Sequence, residues 1–254
     1  MAKSFKTSLK PPFLRYVSGP KPTAAQRLEY PFSIPFLKHG LDLAFDRPVT
    51  IIVGDNGAGK STLLEAIADN CGFSLMGGTR NHILFNAKEE SLSRHLRFGW
   101  TPRISKGFFL RAETLALFVN TIDRIAADDP RILAAYGGKS LDVRSHGETF
   151  MALFENQFGR QGIYILDEPE AALSPERQLQ FLKLLKRMED SDLCQIIIAT
   201  HSPLIMAYPN ARLLRVSDKG LTEIAFHETR NFRILRDFYI DPDSFIAGLF
   251  LDDE

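Results

Sequence analysis

The chain is 254 residues long, with 31 Lys and Arg against 31 Asp and Glu and a hydrophobic fraction of 44%. That length suits one α/β domain and allows a sizeable core. A net charge of zero excludes a global field toward nucleic acid or membrane, so any such attraction needs a local patch.

No apolar run approaches 18 residues, so no membrane span is expected. The start, MAKSFKTSLKPP, is basic but has no apolar core, unlike a secretory signal. Cys71 and Cys194 stand far apart with no metal or redox spacing, and Cys194 adjoins the apolar run at 196–198 as a packing thiol would. These features fit a reduced, cytoplasmic setting.

Residues 1–35 are rich in Pro and aromatics and read as short strands and turns. Residues 41–53 read as two strands, LDLAF and VTIIV, around the turn Asp46-Arg47-Pro48. The second runs into GDNGAGKST, which carries the full phosphate-loop pattern as Gly54, Gly59, Lys60 and Ser61, and a helix is predicted over 61–69. Strand, loop and helix are the context this motif requires. The loop residues Asn56, Gly57, Ala58 and Gly59 let successive N–H groups face phosphate oxygens, and the helix start adds its positive dipole end. Lys60 can reach the β- and γ-phosphates, and the Ser61 hydroxyl can sit on Mg²⁺.

Residues 70–111 read as irregular and basic. Seven Lys or Arg lie between Arg80 and Arg111 (Arg80, Lys88, Arg94, Arg97, Arg103, Lys106 and Arg111), with Phe98 and Trp100 interleaved. Such a patch can track a nucleic-acid backbone, dock an acidic partner, or simply be solvated. A helix over 112–127 follows, then a loop with Gly137-Gly138, then a helix beginning near Gly147. Just before it, Arg144-Ser145-His146-Gly147-Glu148 offers a second anion site at a helix start, though an N-capping serine gives the same pattern. Since the first site already takes the nucleotide, a second points to a nucleotide held by another copy.

The strand at 162–166 ends in Asp167-Glu168-Pro169. An acid at a strand tip can hold Mg²⁺ opposite Ser61, and the next can deprotonate the attacking water. Ser174-Pro175-Glu176 starts a helix to about 188. The strand at 195–199 ends in Thr200-His201-Ser202-Pro203, which puts His201 at the same strand edge, able to contact the γ-phosphate or the water. A hairpin pair at 212–216 and 221–226 and a helical stretch with Phe232, Leu235, Phe238 and Tyr239 complete the chain.

In this order, GDNGAGKS, RSHGE, ILDEPEAALSP and ATHSP resemble the motifs of the ATP-binding-cassette (ABC) P-loop ATPases over about residues 45–205. The DEPEAALSP run is similar to the soluble SMC/RecF/OLD-like branch and its small AAA-family ATPases. The resemblance implies an α/β fold with a mostly parallel core sheet, an N-terminal antiparallel β region and a helical subdomain. One domain would cover 1–254, with a helical and basic insertion at about 72–143 and a C-terminal hairpin and helix at about 211–250.

It also implies an ATP-dependent head-to-tail homodimer around two ATP molecules. Residues 56–62, Lys60, Ser61 and Thr62 among them, would hold phosphate, and Ser61 and Asp167 would hold Mg²⁺. Glu168 would be the general base and His201 the γ-phosphate switch. Ser145 and Gly147 would touch the opposing subunit's nucleotide, and Ala172-Leu173-Ser174 would cross the interface. The branch implies a nucleic-acid or protein effector, in a DNA-repair or phage-defence type of role.

Three departures or gaps accompany the resemblance. The motif is S-H-G-E rather than the L-S-G-G-Q of transporters. No glutamine stands in the Mg²⁺-sensing loop, where Glu113 is the nearest candidate. The adenine-stacking aromatic could be Tyr30, Phe32 or Phe36. The alternatives are the ATPase subunit of a membrane transporter and a non-hydrolysing ATP sensor.

Overall fold

The computed structural model describes residues 8–75, 91–136, 138, 146–157 and 160–251. Strands Leu14–Gly19 (β1), Leu41–Ala44 (β2) and Arg97–Trp100 (β4) form an antiparallel sheet in the order β2-β1-β4. A six-stranded sheet holds Val49–Val53 (β3), Gly107–Arg111 (β5), Gly162–Asp167 (β6), Cys194–Ala199 (β7), Arg212–Ser217 (β8) and Gly220–Glu223 (β9). Its order is β5-β6-β7-β3-β8-β9, parallel except for the edge strand β9.

The helices are Lys60–Cys71 (α1), Leu115–Asp128 (α2), His146–Gln157 (α3), Pro175–Asp190 (α4), Pro203–Met206 (α5), Arg230–Ile240 (α6) and Pro242–Leu251 (α7).

Every residue of β3, β6 and β7 is buried, as expected of parallel strands covered on both faces. Alternate side chains serve two cores. Ile51, Tyr164, Leu166, Ile196 and Ile198 pack with α2, α3 and α4, where Phe150, Phe154 and Phe181 cluster with ring centroids 4.8–5.8 Å apart. Ile52, Ile163, Ile165 and Ile197 face the other way, onto Leu63, Leu64 and Ile67 of α1 and the antiparallel sheet. α1 stops at Gly72, whose φ of 76° supplies a left-handed cap. Ser174 caps α4 by accepting from the Arg177 N–H, with Pro175 in the first turn.

The strands at 41–53 part company at the Asp46-Arg47-Pro48 turn. β2 alternates buried and exposed residues and suits a sheet with one wet face, so it pairs with β1. β3 is apolar throughout and enters the core sheet between β7 and β8. Within the stretch read as irregular, β4 is a strand of four residues with a glycine in it, too short to show a period. The helical tail is two helices, broken at Asp241 before Pro242. Both cysteines are buried, and burial pushes the Cys194 thiol up to about 11.

A fully buried polar side chain helps join the two sheets. Gln195 of β7 is fully buried; its Oε1 accepts from the Phe13 and Leu14 N–H groups, each at 2.8 Å, and its Nε2 donates to the Leu14 carbonyl at 3.0 Å. Gln195→Leu keeps the volume and orphans three backbone groups. It should lower the unfolding free energy by about 3 kcal/mol or more, read from denaturant midpoints.

Candidate active site

Parallel pairing puts the carboxyl ends of β5, β6 and β7 in one row. Arg111 stands opposite Asp167, and Asp167 opposite Ala199, in register. The loop after β3 opens beside that row, which is where ligands bind in open α/β sheets.

The loop turns on Gly59, whose φ is 96°; a side chain there would also run into Ile34 and Phe36. No side chain caps the first turn of α1, so the N–H groups of its opening residues are disposed for an anion. Lys60 is only 4% exposed. Its Nζ donates to the Gly54 carbonyl at 2.9 Å and the Asp55 carbonyl at 3.1 Å, and meets His201 Nε2 at 2.8 Å. With Lys60 donating, that Nε2 accepts and the ring carries its hydrogen on Nδ1. Burial lowers the Lys60 pKa, against the pull of Glu168, Asp167, Asp55 and Glu170.

Ser61 Oγ donates to Asp167 Oδ1 at 3.2 Å. A hydroxyl and a carboxylate converging beside a phosphate site are the hard oxygen donors Mg²⁺ prefers. Among the described residues no group of three or more His, Cys, Asp or Glu could hold a metal by itself. Glu168 follows with φ 51° and ψ 52°, a left-handed conformation costing a non-glycine residue about 1–2 kcal/mol. The turn brings its Oε1 to 3.6 Å from His201 Nε2, while its N–H is held by the Ala199 carbonyl at 2.9 Å. So Lys60, Ser61, Asp167, Glu168 and His201 form one cluster, while Asn56, Gly57 and Ala58 line an adjoining cavity of about 810 Å³.

Ser145, like Arg80 and Lys88 of the basic stretch, lies outside the described residues. At Gly147, in the first turn of α3, a side chain would meet the Ala172 carbonyl at 3.3 Å and the Arg177 side chain at 3.7 Å. Glu148 pairs with Arg177 at 3.6 Å. Glu113 is exposed on the turn Ala112–Thr114, and it is Arg111, two residues earlier, that reaches Asp167, since the row of strand ends stops there. Arg111 is thereby turned inward, away from the basic stretch. Phe98 and Trp100 of that stretch pack against the core, and Trp100 Nε1 donates to Asn70. Of the adenine candidates, Phe36 is fully buried, Phe32 meets His95 edge-on at 4.9 Å, and Tyr30 is 47% exposed.

Sequence reasoning missed several supporting residues. Glu170 accepts from Thr200 Oγ1 at 2.7 Å and from the His201 and Ser202 N–H groups. Gln178 accepts from Ser202 Oγ at 2.6 Å and donates to the Leu173 carbonyl at 3.0 Å. Asn231, at the start of α6, donates to the His201 carbonyl at 2.7 Å. Glu170 could have been suspected from its place two residues after Glu168. Asn231 carries no local signal.

Residues 32–95 match the family model described as an AAA domain, and residues 149–207 match one described as AAA domain, putative AbiEii toxin, Type IV TA system. Over 186 residues, 65% of the chain, the sequence is 30% identical to the hemin import ATP-binding protein HmuV of Vibrio cholerae and covers 70% of it. The chain belongs to the ABC-type P-loop ATPases. Over 85 residues the chain is also 36% identical to the OLD nuclease of Thermus scotoductus. That stretch is 32% of the chain and 16% of the nuclease. The chain also spans 65% of a Methanocaldococcus jannaschii ABC transporter ATP-binding protein, at 24% identity. Its fold is that of cbiO1 from Clostridium perfringens, part of the ABC transporter complex cbiONQ: TM-score 0.52 and 17% identity, covering 92% of this chain and 99% of that one. Among the described residues no helix is long and apolar enough to cross a membrane.

Glu170→Ala in this ABC-type ATPase should cost about 2–3 kcal/mol of stability, because the donors around His201 lose their acceptor; Glu170→Gln, which keeps an oxygen there, should cost less. Paired denaturation curves measure both.

Proposed function

We propose that the chain is an ATP hydrolase that holds ATP and Mg²⁺ between two copies of itself and uses the cycle to regulate a nucleic-acid or protein effector. The observation that carries this reading is the cluster at the sheet edge: Asp167 Oδ1 on Ser61, with Glu168 and Lys60 both against His201. The first turn of α1 and Lys60 would take the phosphates. Ser61 and Asp167 would hold Mg²⁺, which when bound neutralises phosphate charge. Glu168 would accept the proton of the attacking water, and its left-handed turn aims the carboxylate off the strand for that task. His201 would orient the γ-phosphate oxygens or the water. Ser145 and Gly147 would meet the partner copy's γ-phosphate.

A second reading, the ATPase subunit of a transporter, is favoured by the likeness to HmuV. The AAA-domain matches and the OLD-nuclease likeness favour the first. Co-purification from cells, with assays for bound nucleic acid and for membrane proteins, separates the two.

Lys60→Ala should abolish measurable ATP binding in a calorimetric titration, since the buried cation facing the phosphates is lost. Unchanged affinity would sink the phosphate assignment.

Glu168→Gln should keep ATP binding and lower turnover by roughly 10²–10⁴-fold. The same variant should accumulate as a dimer with ATP, and as monomer with ADP or no nucleotide, by light scattering. Equal mass in all three conditions would remove the shared-nucleotide dimer, and wild-type turnover in the variant would place the base elsewhere.

A further inference from the structure

Arg111 is a half-buried cation that the reaction above does not use. It ends β5 directly opposite Asp167 in the parallel register, and its side chain is 19% exposed. Its Nε donates to Asp167 Oδ2 at 3.0 Å, and its Nη2 lies 2.7 Å from Glu65 Oε1. Asp167 is thus divided: Oδ2 faces the guanidinium and Oδ1 faces Ser61. Glu65 lies on α1 four residues after Ser61, so both project from the same helix face toward β6.

The division matters because an unrestrained arginine grips a carboxylate with two parallel N–H bonds. Such a grip on Asp167 would engage both oxygens and turn Oδ1 from Ser61 toward the guanidinium. Glu65 draws one arm of the guanidinium away, so only Oδ2 is taken. Only 3% of the Asp167 side chain is exposed, so these protein contacts, not solvent, set its orientation.

Resting on the placement of Mg²⁺ at Ser61 and Asp167, we propose that Arg111 and Glu65 are the positioning pair of the Mg²⁺ site. Arg111 fixes Oδ2 of Asp167, and Glu65 restrains Arg111 so that Oδ1 stays directed at the metal. Neither residue touches the nucleotide in this role.

The test is a Mg²⁺ titration of ATP binding by calorimetry, with ATP affinity in EDTA as the reference. Arg111→Gln should raise the Mg²⁺ concentration for half-saturation about tenfold or more, the usual effect of losing a partner that orients a metal ligand, while ATP affinity in EDTA stays at the wild-type value. Glu65→Gln, at a more exposed side chain, should shift it in the same direction. In the Arg111→Gln background Glu65→Gln should add nothing, since Glu65 acts only through Arg111. A merely structural loss would add, and would lower the EDTA affinity as well. Should Arg111→Gln fail to fold, Glu65→Gln carries the test. An unshifted Mg²⁺ midpoint in a folded variant, or additive effects of the two changes, overturns the pair while leaving the ATPase reading intact. A wild-type protein whose ATP binding ignores Mg²⁺ overturns the metal placement and the pair with it.

Discussion

The site depends on parallel strand register. β5, β6, β7 and β3 run the same way, and their register lines up Arg111, Asp167 and Ala199 beside the loop that follows Val53. No residue of the cluster is near all the others in sequence; Lys60 and His201 are 141 positions apart. A slip of one residue in β6 would turn Asp167 to the opposite face and put Leu166 or Glu168 in its place. The two apolar cores prevent that slip, because Tyr164 and Leu166 belong to one and Ile163 and Ile165 to the other. Packing energy spread over the whole sheet is what holds a carboxylate at hydrogen-bond distance from Ser61.

The charge arrangement follows from the same burial. Lys60, Arg111 and His201 are set among Asp167, Glu168, Glu65 and Glu170, so a chain with no net charge has a dense local balance. Burial pulls the Arg111 pKa down, and Glu65 and Asp167 more than reverse it. For Lys60 burial prevails. Arg111 is bound by two close carboxylates, whereas the Lys60 ammonium touches two carbonyls and a ring nitrogen. Lys60 is therefore the cation left without a carboxylate in contact, which suits it to an incoming anion.

How much of this was legible in the sequence divides along chain distance. The phosphate loop, the strand ending in Asp167-Glu168 and the capped start of α4 are local patterns, and each element lies within a residue or two of where the pattern put it. Arg111 was legible only as one of seven cations in a basic stretch; that it turns inward depends on β5 pairing with β6, which no local period reveals. Glu170, Gln178 and Asn231 act on the His201 loop across 24 to 32 positions, and Gln195 acts on Phe13 across 182. These are polar contacts between segments brought together only by the finished sheet. The parting of β2 from β3 was readable in principle, since one alternates and the other is apolar throughout, a contrast that two strands flanking a turn tend to hide.

The support around the cluster is uneven, and the unevenness bears on how two copies could share a nucleotide. The His201 loop is held from three sides, by Glu170, by Gln178 through Ser202, and by Asn231. Glu170 belongs to the turn Pro169–Ala172, whose last carbonyl would lie 3.3 Å from a side chain placed at Gly147, at the start of α3. Arg177 on α4 reaches Glu148 from the same side. A residue proposed to face one γ-phosphate, His201, is thus connected by direct contacts to the helix end proposed to face the other copy's nucleotide, through a single short turn that begins at Glu168.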